Sequence, residues 1–194
     1  RSTPTPSSAA SDVYRRQVGM AAVQLGRYLG ATVIATGTSE KKLEFTKEWG
    51  ADHTLLTHKD NIVDFRNEVK DITNGKGADV IYDPVGGDVF DHSIRCINWG
   101  GRLLVVGFAS GRIPNLPINM ALIKGFSVIG VRAGEYGRKD PEAGIENNIA
   151  IRKICEEGHF SPYVCKEFDL KDAKEAIQFL SERKLIGKVI IKTN

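Results

Sequence analysis

The sequence is poor in cysteine, in long apolar runs and in excess charge, and each shortage excludes a class of protein. Its three cysteines, Cys96, Cys155 and Cys165, are an odd number without a C-x-x-C pair, which argues against a disulfide framework and a structural zinc site. A reducing compartment, the cytoplasm, is therefore expected. No apolar run approaches the roughly 20 residues that a membrane span requires. A net charge of +3, spread along the chain, does not indicate a nucleic-acid partner.

The first residues also lack the pattern of a folded segment. Residues 1–11, RSTPTPSSAAS, have no apolar periodicity and are predicted to be disordered. They contain no apolar signal-peptide core, but their basic, serine-rich and acid-poor composition loosely matches a transit peptide, so a mitochondrial location stays open. The amino-acid composition changes abruptly at Gln17–Val18. This change predicts an irregular or aberrant tract over residues 1–17 and one folded domain over residues 18–194.

From Val18 onward, short apolar segments alternate with amphipathic ones. The predicted strands are ATVIAT, HTLLT, ADVIYD, RLLVVGF, FSVIGVRA and GKVIIKT. The predicted helices between them include the segment from Val18 to Leu29, SEKKLEFTKEWG, NIVDFRNEVKDIT, GGDVFDHSIRCINWGG, residues 141–157 and DLKDAKEAIQFLSERK. Such alternation is typical of an α/β fold with a doubly wound parallel sheet, Rossmann-like in type. Ligands of these sheets bind beyond the carboxyl ends of the strands.

The residues after the second strand of such a fold bear on cofactor choice. NAD-specific sites place an acidic side chain there to bind the ribose 2′-hydroxyl, but this sequence has Gly37. Thr38, Ser39 and Lys41 follow and offer hydroxyls and a cation to a 2′-phosphate, as NADP(H) requires. The alternative is that Ser39 only caps a helix and that the lysines are solvated.

The residues that follow the other predicted strands are mostly small or polar, and they form no catalytic set. They are His58, the Val85–Gly86 turn, Gly107–Phe108 and Val131–Arg132, and each taken alone also fits an ordinary turn or surface position. No H-E-x-x-H pair, G-x-S-x-G elbow or metal-ligand spacing occurs. Asp83, at the end of ADVIYD, is interpreted as structural or cofactor-adjacent. We therefore expect no catalytic side chain and no metal.

Two long stretches resemble a known enzyme family. The segment VGMAAVQLGRYLGATVIATGTSEKKLEFTKEWGADHTL resembles the nucleotide-binding part of the medium-chain dehydrogenase/reductase superfamily. The segment DVIYDPVGGDVFDHSIRCINWGGRLLVVGFASGRIPNLPIN resembles its zinc-free quinone oxidoreductase branch, the zeta-crystallin-like enzymes, and is closest to the quinone oxidoreductase-like proteins. The likeness extends from Val18 to the C-terminus. It implies NADPH-dependent hydride transfer to a quinone or another small electrophilic alkene.

The resemblance also implies which residues bind the cofactor. It assigns the diphosphate, the 2′-phosphate and adenosine, the ribose, and the nicotinamide to successive strand ends. The implied NADP(H)-binding residues are Val18, Gly19, Thr38, Ser39, Lys41, His58, Val85, Gly86, Val106, Gly107, Phe108, Gly130, Val131 and Arg132. In this branch the cofactor carries the reactive chemistry and the protein orients it. The resemblance further implies a homodimer that pairs through FSVIGVRA.

The sequence departs from this family at two places. The GroES-like domain that precedes the family's nucleotide-binding segment has no counterpart, so the sequence suggests an N-terminally truncated chain. The family's glycine-rich loop ends at a position matching Gly19, which places Arg15 to Gln17 on the loop and Ala9–Val13 on the first strand. We therefore expect that strand and loop to be missing or replaced. A second hypothesis follows, in which the chain is a catalytically inactive remnant or a dimerising module.

Overall fold

The described part of the chain is built on one six-stranded parallel sheet. The computed structural model describes residues 7–11, 18–57, 64–181 and 186–193. In chain order the strands are β1 (Ser7–Ser11), β2 (Thr32–Gly37), β3 (His53–Leu56), β4 (Ala78–Asp83), β5 (Ile97–Val105) and β6 (Ser127–Gly130). Their spatial order is β3-β2-β1-β4-β5-β6, and every neighbouring pair is parallel. This is the order of the dinucleotide-binding α/β fold, so the predicted fold class is confirmed.

The central strand corrects the prediction for the N-terminal tract. Residues 1–11 were predicted to be disordered, yet Ser7–Ser11 forms β1 between β2 and β4. The strand also begins two residues before the expected Ala9–Val13. Its parallel ladders join Ala9 to Ile34 on one side and to Ile81 on the other. Backbone N–H and C=O groups make such ladders, so a segment of serines and alanines can form this strand.

Helices cover both faces of the sheet. In chain order they are α1 (Val18–Tyr28), α2 (Glu40–Glu48), α3 (Arg66–Ile72), α4 (Gly87–Cys96), α5 (Ile118–Lys124), α6 (Ala133–Lys139), α7 (Pro141–Glu156) and α8 (Ala173–Ser181). Successive side chains of a strand point to opposite faces, and β2 shows this directly. Val33 and Ala35 pack with Val23 of α1 and Leu43 of α2, whereas Ile34 joins the larger cluster with α3 and α4. The fold is therefore doubly wound.

Strand β5 begins earlier than the sequence predicts. The predicted helix GGDVFDHSIRCINWGG ends at Cys96, and β5 starts at Ile97. The pairing with β4 then shifts, from Ala78 opposite Ile97 to Val80 opposite Arg102. A Cβ atom at Gly101 would lie 2.7 Å from Ile97 Cγ1, so only glycine fits this tight irregularity. The glycines that suggested a helix end instead belong to a bulge inside the strand.

The C-terminal residues form a separate small sheet. Strands β7 (Val164–Asp169) and β8 (Lys188–Lys192) pair in parallel and do not join the larger sheet. The segment that leads to them is fixed to α1 by Gln24, whose amide donates to the Ser161 carbonyl at 3.1 Å and accepts from the Ser161 N–H at 2.8 Å. The residues that the sequence assigns to one dinucleotide-binding domain, 18–194, thus contribute to two sheets. In the ranges described, no helix is long and apolar enough to cross a bilayer.

Candidate cofactor-binding site

The six parallel strands all end at one edge of the sheet, and the predicted site residues follow them there. From β1 the chain proceeds to β2 and β3 on one side, whereas β4, β5 and β6 lie on the other. The crossover directions therefore diverge between β1 and β4, which is the switch point where ligands bind in such folds. Three strand spacings separate β2 from β5, about 14 Å. The edge can therefore hold an extended ligand.

The connection from β1 to α1 frames the middle of this edge. Strand β1 ends at Ser11 and helix α1 begins at Val18. Val18 is 43% exposed, and Gly19 is buried in the first turn of the helix. Both lie at a helix N-terminus, which favours anions, and their assignment to the diphosphate stays a prediction. The intervening residues, which include Arg15 and Arg16, lie outside the described ranges.

Beyond β2, the chain turns into α2 through the residues predicted to bind a 2′-phosphate. Ser39 occupies the N-cap position, but its side chain makes no capping hydrogen bond. Its backbone carbonyl instead accepts from the N–H groups of Lys42 and Leu43, at 3.1 and 3.0 Å. Ser39 is therefore the N-cap residue of α2, as the sequence predicts, although its hydroxyl takes no part in the capping. Thr38 and Ser39 are half-buried and Lys41 is exposed, so two residues with hydroxyl groups immediately precede α2 and a lysine lies in its first turn.

Beyond β4, a buried carboxylate organises the predicted ribose-binding turn. Asp83 is 1% exposed, and its Oδ1 accepts the N–H groups of Val85 and Gly86 at 2.8 Å each. Gly86 has φ 68° and ψ −153°, a combination that is essentially restricted to glycine. The turn therefore presents the backbone of Val85 and Gly86 at the N-terminus of α4.

The residues after β5 dock directly on this turn. The N–H groups of Val106 and Gly107 donate to the Asp83 carbonyl at 2.9 and 3.3 Å. A Cβ atom at Gly107 would lie 3.1 Å from the Pro84 carbonyl oxygen, so the two loops touch where this glycine leaves room. Phe108 is 42% exposed, and its ring lies 3.0 Å from the Cβ position that Gly86 lacks. Val85, Gly86, Val106, Gly107 and Phe108 thus form one surface.

The remaining predicted residues lie farther along the edge. Strand β6 ends at Gly130, and the Val131 N–H donates to the Val105 carbonyl at 2.9 Å. Arg132 is exposed at the N-cap position of α6. The structure therefore brings Gly130 to Arg132 next to the β5 loop, whereas Thr38, Ser39 and Lys41 lie across the switch point. His58 lies outside the described residues.

Sequence reasoning missed how the β5 loop is held. Arg112 Nη2 donates to Asp88 Oδ1 at 2.8 Å and to Asp91 Oδ2 at 2.5 Å, and the hydrogen bond with Asp91 raises the pKa of Arg112. The Arg112 carbonyl accepts the Gly87 N–H at 3.1 Å. The sequence signal for this anchor is the spacing of Asp88 and Asp91, which places both on one helix face. The same spacing is equally typical of a solvated helix face.

The described residues contain no metal centre, and the buried cysteine Cys96 is not a reactive thiol. Burial raises the pKa of the Cys96 thiol to about 11, which keeps the sulfur protonated and unreactive at neutral pH. Within the described ranges, no three His, Cys, Asp or Glu side chains come together in a way that could hold a metal ion. What this edge offers is backbone amides, glycines, hydroxyls and single cations. That set suits binding and orientation of a ligand.

Comparison with known proteins identifies the family. A sequence profile described as zinc-binding dehydrogenase matches residues 18–147. The chain belongs to the zinc-binding dehydrogenase family. The matched range covers α1 and all of β2 to β6, so it contains every strand end discussed above except that of β1. Together with the relatives described next, this match confirms the resemblance to the medium-chain dehydrogenase/reductases and their quinone oxidoreductase-like branch. Despite the family's name, the described residues supply no zinc ligand set.

Individual members of the family agree with this assignment. A quinone oxidoreductase-like protein 2 homolog from Nematostella vectensis is 39% identical over 91% of this chain and 48% of its own length. The structure of an NAD-dependent alcohol dehydrogenase has a TM-score of 0.79 at 31% identity, covering 98% of this chain and 52% of that one. A quinone oxidoreductase from Escherichia coli complexed with NADPH shares the fold, with a TM-score of 0.79 at 24% identity and coverage of 97% and 58%. The chain thus spans about half the length of the relatives it matches.

Proposed function

We propose that this chain forms the NADPH-binding part of an oxidoreductase that reduces a quinone or another activated double bond. The observation that carries the proposal is the joined pair of loops after β4 and β5, with glycines at the points of closest approach, beside the switch point of the sheet. The similarity to a quinone oxidoreductase-like protein supports the substrate class. When bound, NADPH supplies the hydride, and the chain's own residues bind and orient it.

On the nicotinamide side, the residues act through shape. Gly86 and Gly107 carry no side chains, so a ligand can approach the backbone of both loops. Val85 is 7% exposed and Val106 is half-buried, so apolar side chains line the floor beneath that backbone. Gly130 to Arg132 continue the surface beyond β5. Together these residues would hold a flat ring against the sheet edge and keep water from one of its faces.

On the adenosine side, the residues act through charge. The Ser39 hydroxyl makes no capping bond, and Lys41 is exposed in the same helical turn. A phosphate at this place would gain charge-assisted hydrogen bonds and the positive end of the α2 dipole. Gly37 offers no carboxylate to bind a ribose 2′-hydroxyl. These features favour NADPH over NADH, although one solved relative is NAD-dependent.

Replacement of Lys41 by glutamate tests this preference. We expect Lys41→Glu to weaken NADPH binding about fivefold to tenfold, because one charge-assisted hydrogen bond is lost and a repulsion is added. Binding of NADH, which lacks the 2′-phosphate, should change little. A glutamate in the first turn of a helix favours the dipole, so the fold should not suffer. Fluorescence titrations with both nucleotides measure the two affinities.

A charge-matched control lies on the same helix. Lys47→Glu makes the same charge change in the last turn of α2, away from the binding edge, where Lys47 pairs with Glu44 at 2.9 Å. Both affinities should stay near those of the unchanged chain. Equal losses of NADPH affinity in the Lys41 and Lys47 variants would contradict a 2′-phosphate site. Equal losses for NADPH and NADH in the Lys41 variant would contradict it as well.

A second proposal concerns self-association, either in the enzyme or as the role of a dimerising module. Strand β6 is an edge strand that pairs with β5 alone among the described strands. Val128 and Ile129 are each 39% exposed on it. An exposed, apolar strand edge favours pairing with another strand. A second copy of this chain could extend the sheet symmetrically through β6.

Sedimentation of the unchanged chain and two variants tests the dimer. The unchanged chain should sediment as a dimer at micromolar concentration, and Ile129→Lys should shift it to a monomer because like charges would meet across the interface. Ile190→Lys in β8 is the control, since Ile190 has the same exposure of 39% in the smaller sheet. A monomeric unchanged chain would refute this interface, as would dissociation caused equally by both substitutions.

A further inference from the structure

Asp83 is a buried charged group that the proposed binding site does not itself use as a ligand contact. It is 1% exposed and stands at the carboxyl end of β4, the first strand beyond the switch point. Burial of a carboxylate is costly unless hydrogen bonds compensate for lost hydration. The hydrogen bonds of Asp83 compensate for this cost, and their directions show which loops they organise.

The side chain and the backbone of Asp83 hold two different loops. Its Oδ1 accepts the N–H groups of Val85 and Gly86, both at 2.8 Å. Its main-chain carbonyl accepts the N–H groups of Val106 and Gly107, at 2.9 and 3.3 Å. One residue therefore fixes the turn after β4 and places the loop after β5 beside it.

The side-chain bonds support a turn that would not be stable by itself. Pro84 has no N–H group to donate, and Gly86 adopts the glycine-restricted φ of 68° and ψ of −153°. In this conformation the N–H groups of Val85 and Gly86 point back to the same carboxylate oxygen. Without that acceptor, two buried donors would lose their partner, and the turn would relax toward conformations of lower strain.

The second loop depends on the first. The Ala109 N–H donates to the Pro84 carbonyl at 3.1 Å, and the Ser110 N–H donates to the Val85 carbonyl at 3.0 Å. These bonds continue the β4–β5 pairing beyond the strands, so a displaced Val85 carbonyl would displace the β5 loop too. The relative position of the two glycines, Gly86 and Gly107, therefore depends on the Asp83 carboxylate.

We infer that Asp83 is a positioning residue for cofactor binding, which sets the spacing between the β4 and β5 loops through its carboxylate. The inference rests on the proposed function for the identity of the ligand. Asp83 would not touch the cofactor. It would hold the backbone of both loops in the conformation that binds the cofactor. Such preorganisation lowers the entropy cost of ordering the loops on binding.

Three substitutions test this role by NADPH titration. Asp83→Ala removes the acceptor for both amides and should weaken NADPH binding about tenfold or more. Asp83→Asn keeps an oxygen at Oδ1 and should recover most of that affinity, since it retains the two N–H bonds. If the alanine variant does not fold, Asp83→Ser replaces it, because a hydroxyl is too short to reach both amides. Thermal melts verify that each variant is folded.

The control is an aspartate with the same kind of bond at the opposite edge of the sheet. Asp52 Oδ2 accepts the Val33 N–H at 2.7 Å near the start of β2. Asp52→Ala therefore also leaves a backbone amide without its acceptor, but at the end of the sheet away from the site. NADPH affinity should stay within about twofold of the unchanged chain. An Asp83→Ala variant that binds NADPH as the Asp52→Ala variant does would overturn the inference.

Amide hydrogen exchange separates this inference from the proposed function. Asp83→Ala should accelerate exchange at residues 85–87 and 106–110, and Asp83→Asn and Asp52→Ala should not. If the unchanged chain fails to bind NADPH, the proposed function fails, and the exchange rates alone decide whether Asp83 positions the loops. Unchanged exchange in both segments of Asp83→Ala would reject the positioning role whatever the chain binds.

Discussion

At the residue scale, single polar side chains fix the connections between elements. Asp83 holds two loops, and Gln24 joins α1 to the segment before β7. Asp64 forms an ion pair with Arg66, the first residue of α3. Each of these side chains bonds to a backbone or side-chain group whose position is set by the conformation of a connecting segment. Sequence patterns show apolar periodicity well but not the direction of an N–H group. These contacts therefore could not be predicted from the sequence, although Asp83 itself was singled out as a residue at a strand end.

Asp64 provides a prediction on pH dependence. The hydrogen bond from the Arg66 side chain, opposed by partial burial, lowers the pKa of Asp64 to about 2 from its ordinary 3.8. A carboxyl whose folded-state pKa is depressed stabilises the fold above its unfolded-state pKa and loses that contribution as the pH falls through the folded value. Asp64→Asn should therefore lower the unfolding temperature by about 1–3 °C at neutral pH, a small effect because solvent screens the pair.

The difference between Asp64→Asn and the unchanged chain should shrink as the pH falls from about 4 to about 2. Thermal melts of both proteins across this range measure it. An Arg66→Gln background is the control, since it removes the main cause of the shift, and the asparagine substitution should then have little effect. A difference that stays constant down to pH 2 would contradict the role of this pair.

At the element scale, the apolar strands were predictable and the irregular elements were not. ATVIAT, HTLLT and ADVIYD are short segments rich in apolar and β-branched residues, and each forms a largely buried or half-buried strand. Strand β7, VCKEFD, mixes charges with apolar residues and was missed. Helix α6, AGEYGRK, was missed because it contains two glycines, residues that ordinarily weaken helices.

Those glycines have a packing role that gives a prediction. Helices α6 and α7 pack as a hairpin in which Gly137 faces Gly144. A Cβ atom added at Gly144 would lie 2.8 Å from Gly137 Cα, whereas one added at Gly137 would lie at an ordinary 3.7 Å from Gly144 Cα. Gly144→Ala should therefore destabilise the hairpin by about 1 kcal/mol, with the overpacking exceeding the gain in helix propensity.

Gly137→Ala is the matched control for this prediction. It adds the same methyl group to the same helix contact without the clash, so it should be neutral or stabilise the chain by about 0.5 kcal/mol. Urea unfolding, with amide exchange in α6 and α7, compares the two variants. Equal effects of the two alanine substitutions would show that the close approach of the two backbones does not matter.

At the scale of the whole molecule, the sheet order explains why the site could be located from the sequence. Once the strands are parallel and doubly wound, their carboxyl ends must share one edge, so Val85, Gly86, Gly107 and Val131 had to meet. The first strand is the exception. Its serines and alanines lack the pattern of a buried strand. The family register placed this strand at Ala9–Val13, and its backbone pairing with β2 and β4 puts it at Ser7–Ser11.

The central claim is that this chain, which spans about half the length of its relatives, binds NADPH at the carboxyl edge of its sheet. A fluorescence titration of the purified chain with NADPH tests it most directly. We predict saturable binding with a dissociation constant below about 1 mM, stronger for NADPH than for NADH, and accompanied by slower amide exchange at residues 85–87 and 106–110. No binding at or below that concentration, or binding without protection of these segments, would contradict the account.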